Sequence, residues 1–262
     1  MINKAVIFGI ALALCACAGT NNIDKVSSPP AASQTKDSSF WITLPKPGEL
    51  VIIGVSGPQM KHETEIAVAR EDAARKAAMY HNLMASYVSM QSVGSGFLDY
   101  YADSDIRLDY DQQLEKYLDK LEFDPERDVM TTIGGAIFIR FSYPAAFPGN
   151  IGYTFGKNAD GSPEWINRRP SEIGGFMTGV GFARRQLRQR DTVARSCEAA
   201  AAALVSQVGA SISTRDVSAA GENLTVIRQR STGRLINFLV LEIWIDPESD
   251  AVWTLAIAKN AQ

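Results

Sequence analysis

The stretch FWITLPKPGELVIIGVSG, from Phe40 to Gly57, returns in altered form as EWINRRPSEIGGFMTGVG, from Glu164 to Gly181. Trp41 matches Trp165 at an offset of 124, and one extra residue before the proline raises the offset to 125. At that offset Pro45 pairs with Pro170, Gly54-Val55 with Gly179-Val180, Val68-Ala69-Arg70 with Val193-Ala194-Arg195, and Ala85-Ser86 with Ala210-Ser211. Alanine matches come cheaply in this composition. A register held across Trp, Pro, Gly-Val and Ala-Arg does not, and self-similarity of this kind marks a structural unit used more than once.

Each copy carries the same order of signals. An apolar strand, Leu50 to Val55 or Phe176 to Val180, ends at glycines that allow a tight exit. A long helix follows. In the first copy Ile66, Ala69, Ala73, Ala77, Tyr80, Met84 and Tyr87 recur at three- and four-residue steps and define one face. Glu71 with Arg75 and Asp72 with Lys76 form i,i+4 pairs off that stripe. In the second copy the stripe is Val193, Cys197, Ala201, Val205 and Val208. Small alanines there let a helix axis lie close to a sheet.

Strands come next. Val129 to Ile133, a Gly134-Gly135 turn and Ala136 to Tyr143 spell a hairpin. Asn223 to Arg230, Leu235 to Ile245 and Ala251 to Ala258 close the second copy. The pattern predicts an α+β fold of two tandem modules, each a strand, a long Ala-rich helix and an antiparallel meander in two layers. The first module spans 40–145, interrupted by an acidic insertion at 98–128 with a helical stretch near Asp111 to Phe123. Residues 146–163 read as a linker and 164–262 as the second module.

Ahead of the modules lies an address. Lys4 precedes an apolar run from Ala5 to Ala16, the length of a signal peptide core and too short to span a bilayer. Leu14-Cys15-Ala16-Cys17 then resembles the bacterial lipobox. Cys17 follows small Ala16, whereas Cys15 follows bulky Leu14, so Cys17 is the expected lipidation site and residues 1–16 the signal peptide. Ala18 in place of aspartate at the next position implies the outer membrane by resemblance to known sorting rules. Residues 17–39, rich in Ser, Asn, Pro, Ala and Lys, read as a flexible tether.

A Trp and Pro ahead of a G-V-x-G or G-V-G strand end, then a helix with A-R and spaced alanines, resembles the LPP-twenty family of bacterial lipoproteins. The module is also similar to the N-terminal domain of flagellar assembly protein T. Here the motif is carried by Trp41, Pro45, Gly54, Val55, Ala69 and Arg70, and again by Trp165, Pro170, Gly179, Val180, Ala194 and Arg195. The closing Asp250-Ala251-Val252-Trp253-Thr254-Leu255 suits the family's final strand. The resemblance implies a non-catalytic binding or assembly component of the cell envelope, with flagellar or other envelope machinery as an alternative. The first copy departs from the family through its acidic insertion.

The remaining residues offer little chemistry. With 46% hydrophobic and 21% charged residues and a formal net charge of -3, the chain is folded and has no broadly basic surface for nucleic acid. His62 and His81 stand apart on one helix, Cys197 reads as a small core residue, and H-E-x-x-H, Cys-x-x-Cys and G-x-S-x-G are missing. Asp103, Asp105, Asp109 and Asp111 fail the EF-hand pattern because Leu108 and Leu114 stand where Gly and Glu are needed. No metal, no cofactor and no enzymatic activity are expected, an enzyme with an unrecognised site being the competing class.

Charge is distributed unevenly. The insertion holds eleven acids against four bases, a net of -7. Arg184, Arg185, Arg188 and Arg190 crowd the start of the second long helix, where the macrodipole disfavours positive charge. They form a candidate contact patch for an anionic partner: the insertion, a lipid headgroup, or another protein. An envelope protein or a second copy of the chain is the expected partner, besides the membrane reached through Cys17.

Overall fold

A computed structural model describes residues 40–42, 50–94, 103–125, 128, 130–149, 151, 156–219 and 222–261. All belong to one compact unit, Gln34–Gln262. Cys15, Cys17, the tether, Pro45 and the start of the acidic insertion lie outside the described residues, and the Trp41 side chain does so too.

The chain enters with β1 (Phe40–Ile42) and β2 (Leu50–Ser56), followed by α1 (His62–His81). Ala69, Ala73, Ala74 and Ala77 are fully buried on α1. Their small size matters because a β-carbon on Gly54 of β2 would strike the Ala69 carbonyl oxygen and lie 2.9 Å from the Phe141 ring. Helix and strand therefore touch backbone to backbone. Asp72 and Lys76 fasten the same contact. The Val55 amide and the Lys76 ammonium both donate to Asp72 Oδ2, at 2.9 and 2.6 Å, and Lys76 also donates to the Ile53 carbonyl at 2.8 Å. Those are the unpaired groups of an edge strand, so the ion pair closes the open edge.

After α1 come β3 (Leu83–Gly94), β4 (Asp103–Asp109), the single turn α2 (Glu115–Leu118), β5 (Met130–Ile133) and β6 (Ala136–Tyr143). The helix ends at His81, earlier than its stripe predicts. Met84 and Tyr87 belong to β3, where the β-favouring run Leu83 to Gly94 takes over once Asn82 turns extended. Part of the insertion is likewise a strand: β4 pairs with β3, alternating exposed Asp105, Arg107 and Asp109 with more buried Ile106 and Leu108. The β5–β6 hairpin is as expected, its turn made by Gly134 and Gly135 at positive φ.

The second half adds α3 (Glu164–Asn167), β7 (Glu172–Ile173), β8 (Phe176–Ala183), α4 (Gln189–Val208), β9 (Ala210–Ala219), β10 (Glu222–Ile245) and β11 (Val252–Asn260). Two expected strands are one. β10 runs unbroken through Ser231 to Arg234 because β3 pairs with it across that stretch, so no turn forms. The strand bends later, at bulges around Asn237, which sits at positive φ. β10 is the spine of the larger sheet, ordered β4-β3-β10-β11-β8-β7, with β9 and β1 also paired to it. The smaller sheet is β2-β6-β5. The coarse α+β class thus holds.

Two hydrophobic clusters fill the interior, and both draw on each half of the chain. One packs α1 and Ile52, Ile139 and Phe141 with Trp165, Phe176, Leu241 and Leu255. The other packs Val193, Cys197, Ala201 and Leu204 of α4 with Ile53, Phe138, Leu235 and Ala256.

The long helices begin and end 127 positions apart, His62 to Gln189 and His81 to Val208. At α4 a β-carbon on Gly181 would strike the Ser196 carbonyl oxygen, as Gly54 meets Ala69. The helices are thus offset by 127 where residue identities repeat at 125, and a β-carbon on Gly179 would also strike a carbonyl oxygen of α4, on Ala200. Gly179 and Gly181 are two apart on one strand and face the same side, so either can satisfy a close helix contact.

Candidate functional site

The arginine patch occupies the loop between β8 and α4. Arg184, Arg185 and Arg188 are exposed and Arg190 is half-buried. The loop is held from inside: the Gln186 amide donates to Thr192 Oγ1 at 2.9 Å, and Gln189 Nε2 donates to the Asp250 carbonyl at 2.9 Å. Arg188 is the helix N-cap, in extended conformation, and its side chain makes no cap hydrogen bond. Arg185 pairs with Asp250 and Arg190 with Asp191, while among the described residues Arg184 and Arg188 have no carboxylate partner. The insertion instead packs on α1 through Tyr117 and Leu121, and its Asp105 and Asp111 pair with its own Arg107 and Lys116.

A second loop, Gly57 to Lys61, stands beside the first. A β-carbon on Gly57 would lie 3.7 Å from Arg190 Cδ. Both loops and the Gly134-Gly135 turn line one cavity of about 550 Å³. Lys61 is the N-cap of α1, again extended and again without a side-chain cap. Residues 57–61 were not singled out by sequence reading. A signal was present in the sequence, since Met60-Lys61 before α1 and Leu187-Arg188 before α4 are both an apolar residue followed by a cation.

Sequence reading also passed over Glu242. It lies on β10 with 2% exposure, and Trp165 Nε1 donates to its Oε2 at 2.5 Å. Burial pushes its carboxyl up to about 7, partly opposed by the Trp165 hydrogen bond and the Lys157 charge. A lone acid inside the apolar run Phe238 to Ile245 was the available clue. Trp165 itself sits on α3 and is fully buried.

Of the other titratable residues, Tyr80, Tyr117 and Tyr143 surround His81, with ring centroids 5.6, 5.8 and 5.8 Å away. Cys197 is buried and its thiol is pushed up by burial. His62 faces Glu65 at 3.1 Å on the surface. His81 Nε2 is 2.9 Å from the Tyr143 hydroxyl, and burial, then the Lys120 and Lys116 charges, lower its pKa. Among the described residues, no group of three or more His, Cys, Asp or Glu is placed to hold a metal ion. Among them, too, no helix is long and apolar enough to cross a membrane. In comparisons with known proteins, no family model, no curated protein and no solved structure matches the chain.

Proposed function

We propose that this protein is an outer-membrane lipoprotein, anchored through acylated Cys17, that acts as a non-enzymatic binding or assembly component of the bacterial cell envelope. The observation that carries the reading is Leu14-Cys15-Ala16-Cys17 at the end of an apolar run behind Lys4. One acyl chain holds a protein to a bilayer only marginally, whereas two or more hold it firmly. The tether of residues 17–39 then separates the folded unit from the lipid.

The body is proposed to be a duplicated module of LPP-twenty type. Supporting this are the long helices 127 positions apart, Gly54 and Gly181 in matching contacts, and the orders β2-β6-β5 and β8-β11-β10. The exposed cationic loop before α4 supports a role in contact.

Metabolic labelling of cells with a fatty acid tests the anchor. Cys17→Ser is expected to abolish labelling and release the protein from the membrane fraction, and Cys15→Ser to leave both intact. Continued labelling of the Cys17 variant would overturn the assignment. Affinity purification of the lipidated protein from membranes then tests the binding role through its co-purifying partners.

A further inference from the structure

Met60 and Leu187 are among the few large apolar side chains left in solvent, at 104% and 97% exposure. Single exposed apolar residues need no explanation, but these two are related. They are 127 positions apart, the same interval as the helix starts, and each immediately precedes a cationic N-cap, Lys61 or Arg188. Their loops flank the same cavity. Two apolar tips therefore project from the loops that meet at this cavity, and the cations of those loops, Lys61, Arg184 and Arg188, have no ion pair among the described residues.

We propose that this surface docks on an anionic phospholipid bilayer, with Met60 and Leu187 entering the boundary between headgroups and acyl chains. Lys61, Arg184 and Arg188 meet headgroup phosphates, for which arginine's planar donors are well shaped. The arrangement fits a bilayer better than a protein. A protein interface has an apolar centre and a polar rim. Here the cavity is lined by Arg185, Arg188 and the glycine turn with Leu187 among them, and Leu187 and Met60 each stand almost wholly in solvent rather than forming an apolar centre. A fluid headgroup layer accepts separate tips with phosphates between them, and a rigid partner does not. The inference rests on the envelope reading for a membrane within reach, but the contact itself uses no acyl chain.

Hydrogen exchange on the full chain, reconstituted in vesicles, tests it. Vesicles of equimolar phosphatidylglycerol and phosphatidylethanolamine are compared with vesicles of phosphatidylcholine, and acylation holds the protein to both. Amides of residues 59–61 and 184–188 are expected to exchange about tenfold more slowly on the anionic vesicles, with the difference shrinking at high salt. Arg184→Gln with Arg188→Gln, or Met60→Ser with Leu187→Ser, is expected to remove that protection, and because these side chains are exposed the fold survives. Equal exchange on the two vesicle types overturns the proposal. Protection that grows with protein density on phosphatidylcholine also overturns it, and assigns the surface to a second copy. Flotation of the parent and Cys17→Ser chains on phosphatidylcholine vesicles, which the cationic surface does not bind, reports separately on the anchor, so the two failures are distinguishable.

Discussion

Trp165 donates its indole N–H to the carboxyl of Glu242, 77 residues later, inside the protein. It is a buried polar contact between α3 and the spine of the larger sheet. A carboxyl raised to about 7 is protonated in the folded protein at pH values where it would ionise in the unfolded chain. The sign follows. Between the ordinary 4.5 and about 7 the folded state binds the extra proton, so stability falls as pH rises through this window. Glu242→Gln keeps an acceptor for Trp165 and removes the ionisation. It is expected to flatten the pH dependence and to exceed the parent at pH 8 by at most about 3 kcal/mol. Denaturant unfolding at pH 5 and pH 8 checks it, and parallel pH profiles for parent and variant would remove the buried charge from the account.

Gly54 and Gly181 make a matched pair of stability predictions. At each, a β-carbon would strike a helix carbonyl oxygen, on Ala69 or Ser196. Alanine at either site must push a long helix off its sheet, at a cost of about 3 kcal/mol. Gly209, at the C-cap of α4, has extended backbone and nothing within 4 Å of an added β-carbon. Gly209→Ala is expected to stabilise by about 0.5 kcal/mol through the unfolded chain. Thermal unfolding of the three variants compares them directly. A mild effect at Gly181 would mean that α4 does not lie on β8 backbone to backbone as α1 lies on β2.

Much of this was legible because it is local. The alanine faces and the Gly134-Gly135 hairpin follow from spacing and turn chemistry, which any window of the chain contains. The glycines expected to end the strands instead lie within them, Gly54 in β2 and Gly179 and Gly181 in β8, where a helix backbone passes close. The failures were non-local. Nothing near Ser231 to Arg234 shows that β3, more than a hundred residues earlier, pairs across that stretch and keeps β10 straight. Met84 and Tyr87 fit a helical period and a strand equally well, and only pairing with Arg234 and Ser231 on β10 decides between them. In a local window Glu242 is one acid in an apolar strand, and its partner Trp165 stands 77 residues earlier, ahead of a different strand. At the candidate surface the arginines were readable as charge, but that Met60 and Leu187 stand at the same place before their helices shows only once the helix starts are known.

Two ion pairs on α1 look alike in sequence and differ in the structure. Glu71 and Arg75 are 3.7 Å apart with both side chains about half exposed. Asp72 and Lys76 are largely shielded, and together they satisfy Val55 and Ile53 on the edge of β2. Glu71→Ala is therefore expected to change stability by less than about 0.5 kcal/mol. Asp72→Ala leaves the Val55 amide without its acceptor and the Lys76 ammonium, still bound to the Ile53 carbonyl, without its counter-charge, and is expected to cost about 2 kcal/mol. Equal effects in urea unfolding would mean that the edge of β2 needs no cover from α1.

Both long helices begin with the wrong residue for their own stability. Lys61 and Arg188 occupy N-caps in extended conformation, the geometry in which Asp or Ser accepts a hydrogen bond from the first turn. A cation there supplies no acceptor and opposes the macrodipole. Arg188→Asp is expected to add a cap and remove that repulsion, stabilising the protein by about 1 kcal/mol, and Lys61→Asp to do the same. Local choices that lower stability at matching places point to a use other than folding. The gain in stability should accordingly come with a loss: the doubly substituted protein is expected to melt several degrees higher, by about 2–4 °C per kcal/mol, yet to lose its slowed exchange on anionic vesicles. Calorimetry and hydrogen exchange on the same sample separate the two effects. A variant that melts higher and still docks would show that these cations are dispensable for contact, leaving their presence at the caps without a functional reason.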